Sequence, residues 1–323
     1  MLDVRRLQLL RDLDRLGTIA AVAKAHSYTP SAVSQQLAAL QRETGVPLIE
    51  RTGRTVRLTP VGAALAQHTE TVLAALEAAA VTIAAARSGL HGTIRIGAFP
   101  SAVRTLLPTT LVALAHEHPG LDLIVSELDP ATMAEQLRDR RLDVALLQSY
   151  DLVPALPDPA IEAIALLDET VYLATPYEIA ASGGGDPLDA VRHCDWLGGT
   201  PGTLCHTVTM RACELAGFIP RIRHHVDDFS AILALVAAGQ GVALVPQLGA
   251  IDLPGGVHLT ALAVRRRTQV AYRAGSAEHP ATAACVAALR AATETYLSAD
   301  RPRPSPPPGR AGSHRTDRSR AAS

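Results

Sequence analysis

Ser31, Ser34, Gln35 and Gln36 share one side of the stretch Thr29–Leu40. Hydroxyls and carboxamides both donate and accept, which suits hydrogen bonding to base edges in a major groove. A face turned only to water would carry more charge. The opposite side, Ala32, Val33, Leu37 and Leu40, is apolar at helical spacing. Thr29 can cap the start and Pro30 suits the first helical position, so the stretch reads as a helix that could enter duplex DNA. The plainer alternative is one arm of a helical hairpin in a globular core.

The elements around it favour the first reading. Thr18–His26 is a second short Ala-rich helix, and Ser27–Tyr28 makes a turn tight enough for a helix-turn-helix. Behind both, residues 2–15 form an amphipathic helix with Leu2, Leu7, Leu9, Leu10, Leu13 and Leu16 as its stripe. After Leu40 comes a short apolar strand ending at Ile49. An ArgThrGlyArg turn follows at 51–54, then a strand at 55–58, giving a wing with Arg51 and Arg54 at its tip.

Gly17–Gly62 thus resembles, in order and without a gap, the winged helix-turn-helix of LysR-type transcriptional regulators, and the resemblance extends to about Leu297. It implies that Thr29, Pro30, Ser31, Ser34 and Gln35 face DNA and that Arg51 and Arg54 reach its backbone or minor groove. The family often has Arg where Gln35 stands and Gln where Pro30 stands, departures that bear on base preference.

Thr59 and Pro60 open a long helix that runs to about Arg87. Gly62, Thr69, Leu76 and Ile83 fall at one inner heptad position, with Leu65, Val72, Ala79 and Ala86 at the other. Such a rod favours association with a second copy, so self-association as a dimer or tetramer is expected, with paired heads on double-stranded promoter DNA. From His91 the pattern alternates strand and helix: strands at 93–97, 121–125 and 142–147, then 163–167, 171–174, 222–226, 242–245 and 269–273. That rhythm implies an α/β body with parallel pairing. The chain crosses twice between two lobes, lobe I about 90–160 with 268–298 and lobe II about 161–267. The expected layout is therefore a winged helix-turn-helix over 1–59, a linker helix over 60–89, a two-lobed effector domain over 90–298, and a disordered Arg- and Pro-rich tail over 299–323.

In open α/β sheets, ligands settle beyond the carboxyl ends of the strands. That places Ala98–Ala102 at the mouth, with Ser101 the leading donor, facing 128–130, 148–149, 198–203 and 228–230. The resemblance implies effector contacts at Ser101, Ala102, Thr200, Thr203 and Phe229. The expected effector is a small organic acid or similar polar metabolite, with no cofactor and no metal. RNA polymerase is a further partner if the protein activates.

Charge is uneven along the 323 residues. Residues 1–60 hold nine basic against five acidic side chains, residues 61–300 hold 15 against 25, and residues 301–323 hold six against one. A basic head on an acidic body can hold phosphate with one part while the other repels it. The sequence has no charge-free apolar run long enough to span a membrane and no export signal at its start, which leads to a cytoplasmic expectation. Cys194, Cys205, Cys213 and Cys285 show no CxxC spacing and read as reduced and buried. Their proximity in sequence to His193, His206, His224 and His225 leaves a thiol- or metal-responsive regulator as an alternative, beside a binding protein with a non-functional head. Hydrolase elbow, Walker loop, HExxH and dinucleotide fingerprint are all lacking, so an enzyme is not expected.

Overall fold

Three side-chain caps set the head. Asp3 accepts from the amides of Arg5 and Arg6, Thr18 from that of Ala21 and Thr29 from that of Ala32, opening α1 (Val4–Leu16), α2 (Ile19–Ala25) and α3 (Pro30–Thr44). Gly17 and Gly45 close α1 and α3 at φ 72° and 71°, a conformation glycine adopts without strain. Leu7, Leu10, Leu13, Val22, Val33, Leu37 and Leu40 meet in one buried cluster. The computed structural model describes residues 2–52, 55–85, 89–154, 157–177, 179 and 186–299, so all of the expected tail but its first residue lies outside the described residues.

The wing is an antiparallel hairpin of β1 (Ile49–Thr52) and β2 (Thr55–Leu58), with Ile49 opposite Leu58. A strand therefore begins at Ile49 rather than ending there. Thr52 pairs with Thr55, so Arg51 belongs to the strand and not to the turn expected at 51–54.

Helix α4 (Pro60–Ala85) follows. Its inward side is Gly62, Ala66, Thr69, Glu77 and Val81, while Val72, Leu76 and Ile83 are exposed. The heptad reading merged two faces. The small and polar residues pack against this chain, and the larger apolar ones face away from it.

The body is built on a six-stranded mixed sheet in the order β4-β3-β5-β10-β6-β9. Its parallel part is β4 (Leu121–Glu127), β3 (Gly92–Ala98) and β5 (Val144–Tyr150). Helices α5 (Pro100–Thr105), α6 (Leu107–Glu117) and α7 (Pro130–Arg138) provide its crossovers. Pro108 lies in the first turn of α6 and cannot donate to the preceding turn, so a break at Leu106 separates α5 from α6.

The other half of the sheet is antiparallel. β6 (Ile161–Pro176) and β10 (Val257–Arg273) pair along most of their length, and β9 (Ala243–Pro246) joins the edge of β6. Sequence reading split β6 in two at Asp168-Glu169-Thr170 and kept only the end of β10. These polar residues sit inside the strand because Arg265, Arg266 and Arg267 stand opposite them.

The second lobe adds α8 (Pro187–Ala190), the parallel pair β7 (Asp195–Gly198) and β8 (Arg221–His225), α9 (Leu204–Leu215) and α10 (Phe229–Ala237). Trp196 is fully buried among Val208, Ala212 and Val242. Helix α11 (Pro280–Ser298) returns to pack on α6 in the first lobe. Among the described residues, no helix is long and apolar enough to cross a membrane.

Candidate functional site

At the head, Gln35 is exposed near the middle of α3, and Ser31 is exposed one turn before it. The Ser31 hydroxyl lies 3.0 Å from that of Thr29, whose oxygen also caps the helix. Ser34 is half-buried and donates to the Pro30 carbonyl at 3.0 Å, so its hydroxyl is engaged along its own helix. Gln36 accepts from Arg6 Nε at 2.9 Å, which ties the far edge of this surface to α1. Arg51 lies in β1, and Arg54 lies outside the described residues.

A cavity of about 260 Å³ opens beyond the carboxyl ends of β3, β4 and β5, between the two lobes. Phe99, Ser101, Leu128 and Gln148 line one wall, with Thr203, Cys205 and Phe229 opposite. Of the expected contacts, Ser101, Thr203 and Phe229 reach this space. Ala102 does not: it is fully buried in the core of the first lobe. Thr200 stands behind the wall, its amide and hydroxyl donating to the two carboxylate oxygens of Asp227 at 2.8 and 2.6 Å. Asp228 caps α10 through the Ala231 amide, whereas Asp227 faces the cavity.

Sequence reasoning missed the floor. Arg266 is buried and donates through Nε and Nη2 to the Glu169 carboxylate at 2.9 and 2.7 Å. Nη1 donates to Gln148 at 3.1 Å, Nη2 also reaches the Ser101 hydroxyl at 3.3 Å, and the guanidinium carbon lies 4.9 Å from the centre of the Phe99 ring. Glu169 also accepts from Thr268 Oγ1 at 2.8 Å and from the Leu248 amide at 2.9 Å. Burial works against the Arg266 charge, but the adjoining carboxylate outweighs it and holds the guanidinium protonated. The signal that could have found the pair is an acidic dipeptide, 168–169, between two predicted strands and three arginines, 265–267, just before another.

Only Arg104 follows Ser101 closely in sequence, and it points elsewhere. It reaches across the lobes to Ser230 and to Asp252, the latter at 3.3 Å. Cys205 lines the cavity, and burial pushes its thiol up from the ordinary value. Burial also pushes the Cys213 thiol up, to about 12.

Residues 4–63 match the family model for the bacterial regulatory helix-turn-helix protein of the lysR family, and residues 87–294 match that for the LysR substrate binding domain. The chain belongs to the LysR family of transcriptional regulators. Among LysR-family relatives, GltC of Bacillus subtilis, a transcriptional dual regulator, is 28% identical over 76% of this chain and 81% of its own. A probable hydrogen peroxide-inducible genes activator of Streptomyces viridosporus is 32% identical over 75% and 80%. Among solved LysR-family structures, a Corynebacterium glutamicum OxyR mutant superposes at TM-score 0.55 with 25% identity, covering 92% of this chain and 93% of that one. CbnR complexed with its target DNA gives 0.50 at 23% identity, over 90% and 99%. The two LysR models fall on the two regions described above, the head with its exposed α3 and the lobes with their cleft.

Proposed function

We propose that this regulator binds promoter DNA through α3 and its wing as a homo-oligomer in the cytoplasm, and that a small effector in the interlobe cleft changes how the paired heads sit on DNA. The observation that carries the reading is the placement of the cavity. It lies where β6 and β10 pass from lobe to lobe, so a ligand that contacts both walls binds an open and a closed arrangement unequally. Where the outcome is activation, RNA polymerase is the further partner. The work is binding rather than catalysis.

Exposed apolar side chains support self-association. Val72, Leu76 and Ile83 lie along α4, and Val112, Ile124, Leu215 and Ile219 lie on the outer faces of the lobes. In isolation each exposed residue is ordinary; their recurrence along one helix is what an oligomer would cover.

A peroxide-responsive reading is suggested by the name of the Streptomyces relative, and Cys205 does face the cleft. Two features weigh against it. Burial disfavours the reactive thiolate at Cys205 and at Cys213. Eight residues along one helix also set the two about 12 Å apart, beyond disulfide reach without unwinding α9.

Footprinting of the purified protein on the intergenic DNA upstream of its own gene tests the main reading. Gln35→Ala is expected to lower specific over nonspecific affinity by roughly 1–3 kcal/mol, as the loss of one good base contact does. Unchanged specificity would remove α3 as the reading element.

A further inference from the structure

The ends of the cavity carry charge that its floor does not balance. Glu127, Asp129 and Asp227 all line it, and among the described residues Arg266 is the only cation to do so. Arg266 is already matched by Glu169, with its other donors directed at Gln148 and Ser101. Arg104, the next nearest positive charge in sequence, spans to Ser230 and Asp252 instead. Among the described residues, these three carboxylates have no ion-pair partner in the cleft, with Asp129 accepting from the Ala131 amide and Asp227 from the Thr200 amide and hydroxyl. Three of the helix starts beside it, which could otherwise favour an anion, are filled from within, since Asp129, Thr203 and Asp228 cap α7, α9 and α10, while the six-residue helix α5 has no side-chain cap at Phe99.

We infer that the cleft selects a small organic cation, an amine or guanidine carried on a compact apolar body, in place of the organic acid that the sequence suggests. The inference rests on the cleft being the effector site, and it specifies the ligand's charge. The cavity makes the site and the carboxylates choose among ligands that fit it. Phe99, Leu128 and Phe229 supply apolar wall for the body of the ligand, as small-molecule sites generally do with a few polar groups fixing orientation. An anion would enter against Glu127, Asp129 and Asp227 and would find Arg266 occupied.

Matched pairs of opposite charge provide the test. Full-length protein is titrated calorimetrically at constant ionic strength with benzylamine against benzoate, and with putrescine against succinate. Each is repeated on a Glu127→Gln, Asp129→Asn variant. Asn caps a helix about as well as Asp, so α7 retains its start, and Glu127 lies at the exposed end of β4. An unchanged melting temperature of the variant verifies that it folds.

The expected result is saturable binding of at least one amine, at least tenfold weaker in the variant, with the carboxylates binding more weakly than their matched amines to wild type. Preferential carboxylate binding that a Phe229→Trp block of the cleft abolishes would overturn the charge assignment and leave the effector cleft standing. Amine binding unaltered in the double variant would likewise overturn it. If no probe of either charge binds in the cleft, both the assignment and the cleft reading fall.

Discussion

Arg266 and Glu169 form a buried ion pair on the cavity floor, and their environment fixes what substitution does. Taking two charges out of water is costly, and the cost is met here by mutual attraction together with bonds from Thr268, Leu248, Ser101 and Gln148. Arg266→Met leaves a buried carboxylate with no counter-charge and is expected to destabilise the fold by about 3–5 kcal/mol. Arg266→Met with Glu169→Leu removes both charges and is expected to recover most of that loss while detaching Ser101 and Gln148 from the floor. Urea unfolding of the four proteins measures this; a double variant as unstable as the single one would show that the pair is not the source of the effect. Ser101 was legible from sequence because a serine just after a strand end has a positional meaning. Arg266 was not, since its importance depends on which strand lies beside it.

At the scale of elements, the caps and the apolar spacing of the head were legible because they are local. Thr18, Thr29 and Pro30 act within one turn of themselves. The long strands β6 and β10 were not legible, since the polar run 168–170 belongs in a strand only when the arginines of its partner are present. The junction of wing and linker shows the same dependence on long-range packing. Gly62, in the first turn of α4, lies so close to β1 that a methyl group there would land on the Leu48 carbonyl. Gly62→Ala therefore has to push α4 away from the wing, at a cost of typically 1–3 kcal/mol for an overpacked contact. The expected outcome is a lower melting temperature for the head with weaker binding to all DNA sequences alike. A variant as stable as wild type would mean that the helix start shifts freely, and the wing is then not anchored through α4.

Across the whole molecule, one cluster ties the head and linker to the first lobe of the same chain. Glu77, buried on α4, receives Arg140 at 2.5 Å and Arg273 at 3.2 Å, and Arg273 also donates to the Leu142 carbonyl at 2.7 Å. Arg11 of α1 pairs with Glu70 of α4 at 3.3 Å, and Arg15 faces Glu135 and Asp139 at the end of α7 at 3.7 and 3.9 Å. Gly275 completes the contact by letting the loop after β10 approach the Ala74 carbonyl, where a side chain would collide. A head held this way is expected to move with the first lobe, so that on the proposed function a change of angle between lobes would reach the DNA instead of being absorbed at a loose joint. Glu77→Ala removes the acceptor that two arginines share and leaves Arg273 partly buried beside Asp143. Hydrogen exchange is expected to accelerate along α4 and at the ends of α7 and β10, while the amides of β7 and α9 in the second lobe keep their wild-type rates. In footprints, the variant should still protect its half-sites, but a cleft ligand that shifts the wild-type pattern should shift it less. If the ligand-induced shift is undiminished while exchange at α4 rises, coupling passes by another route, and the Glu77 cluster serves only to dock the linker.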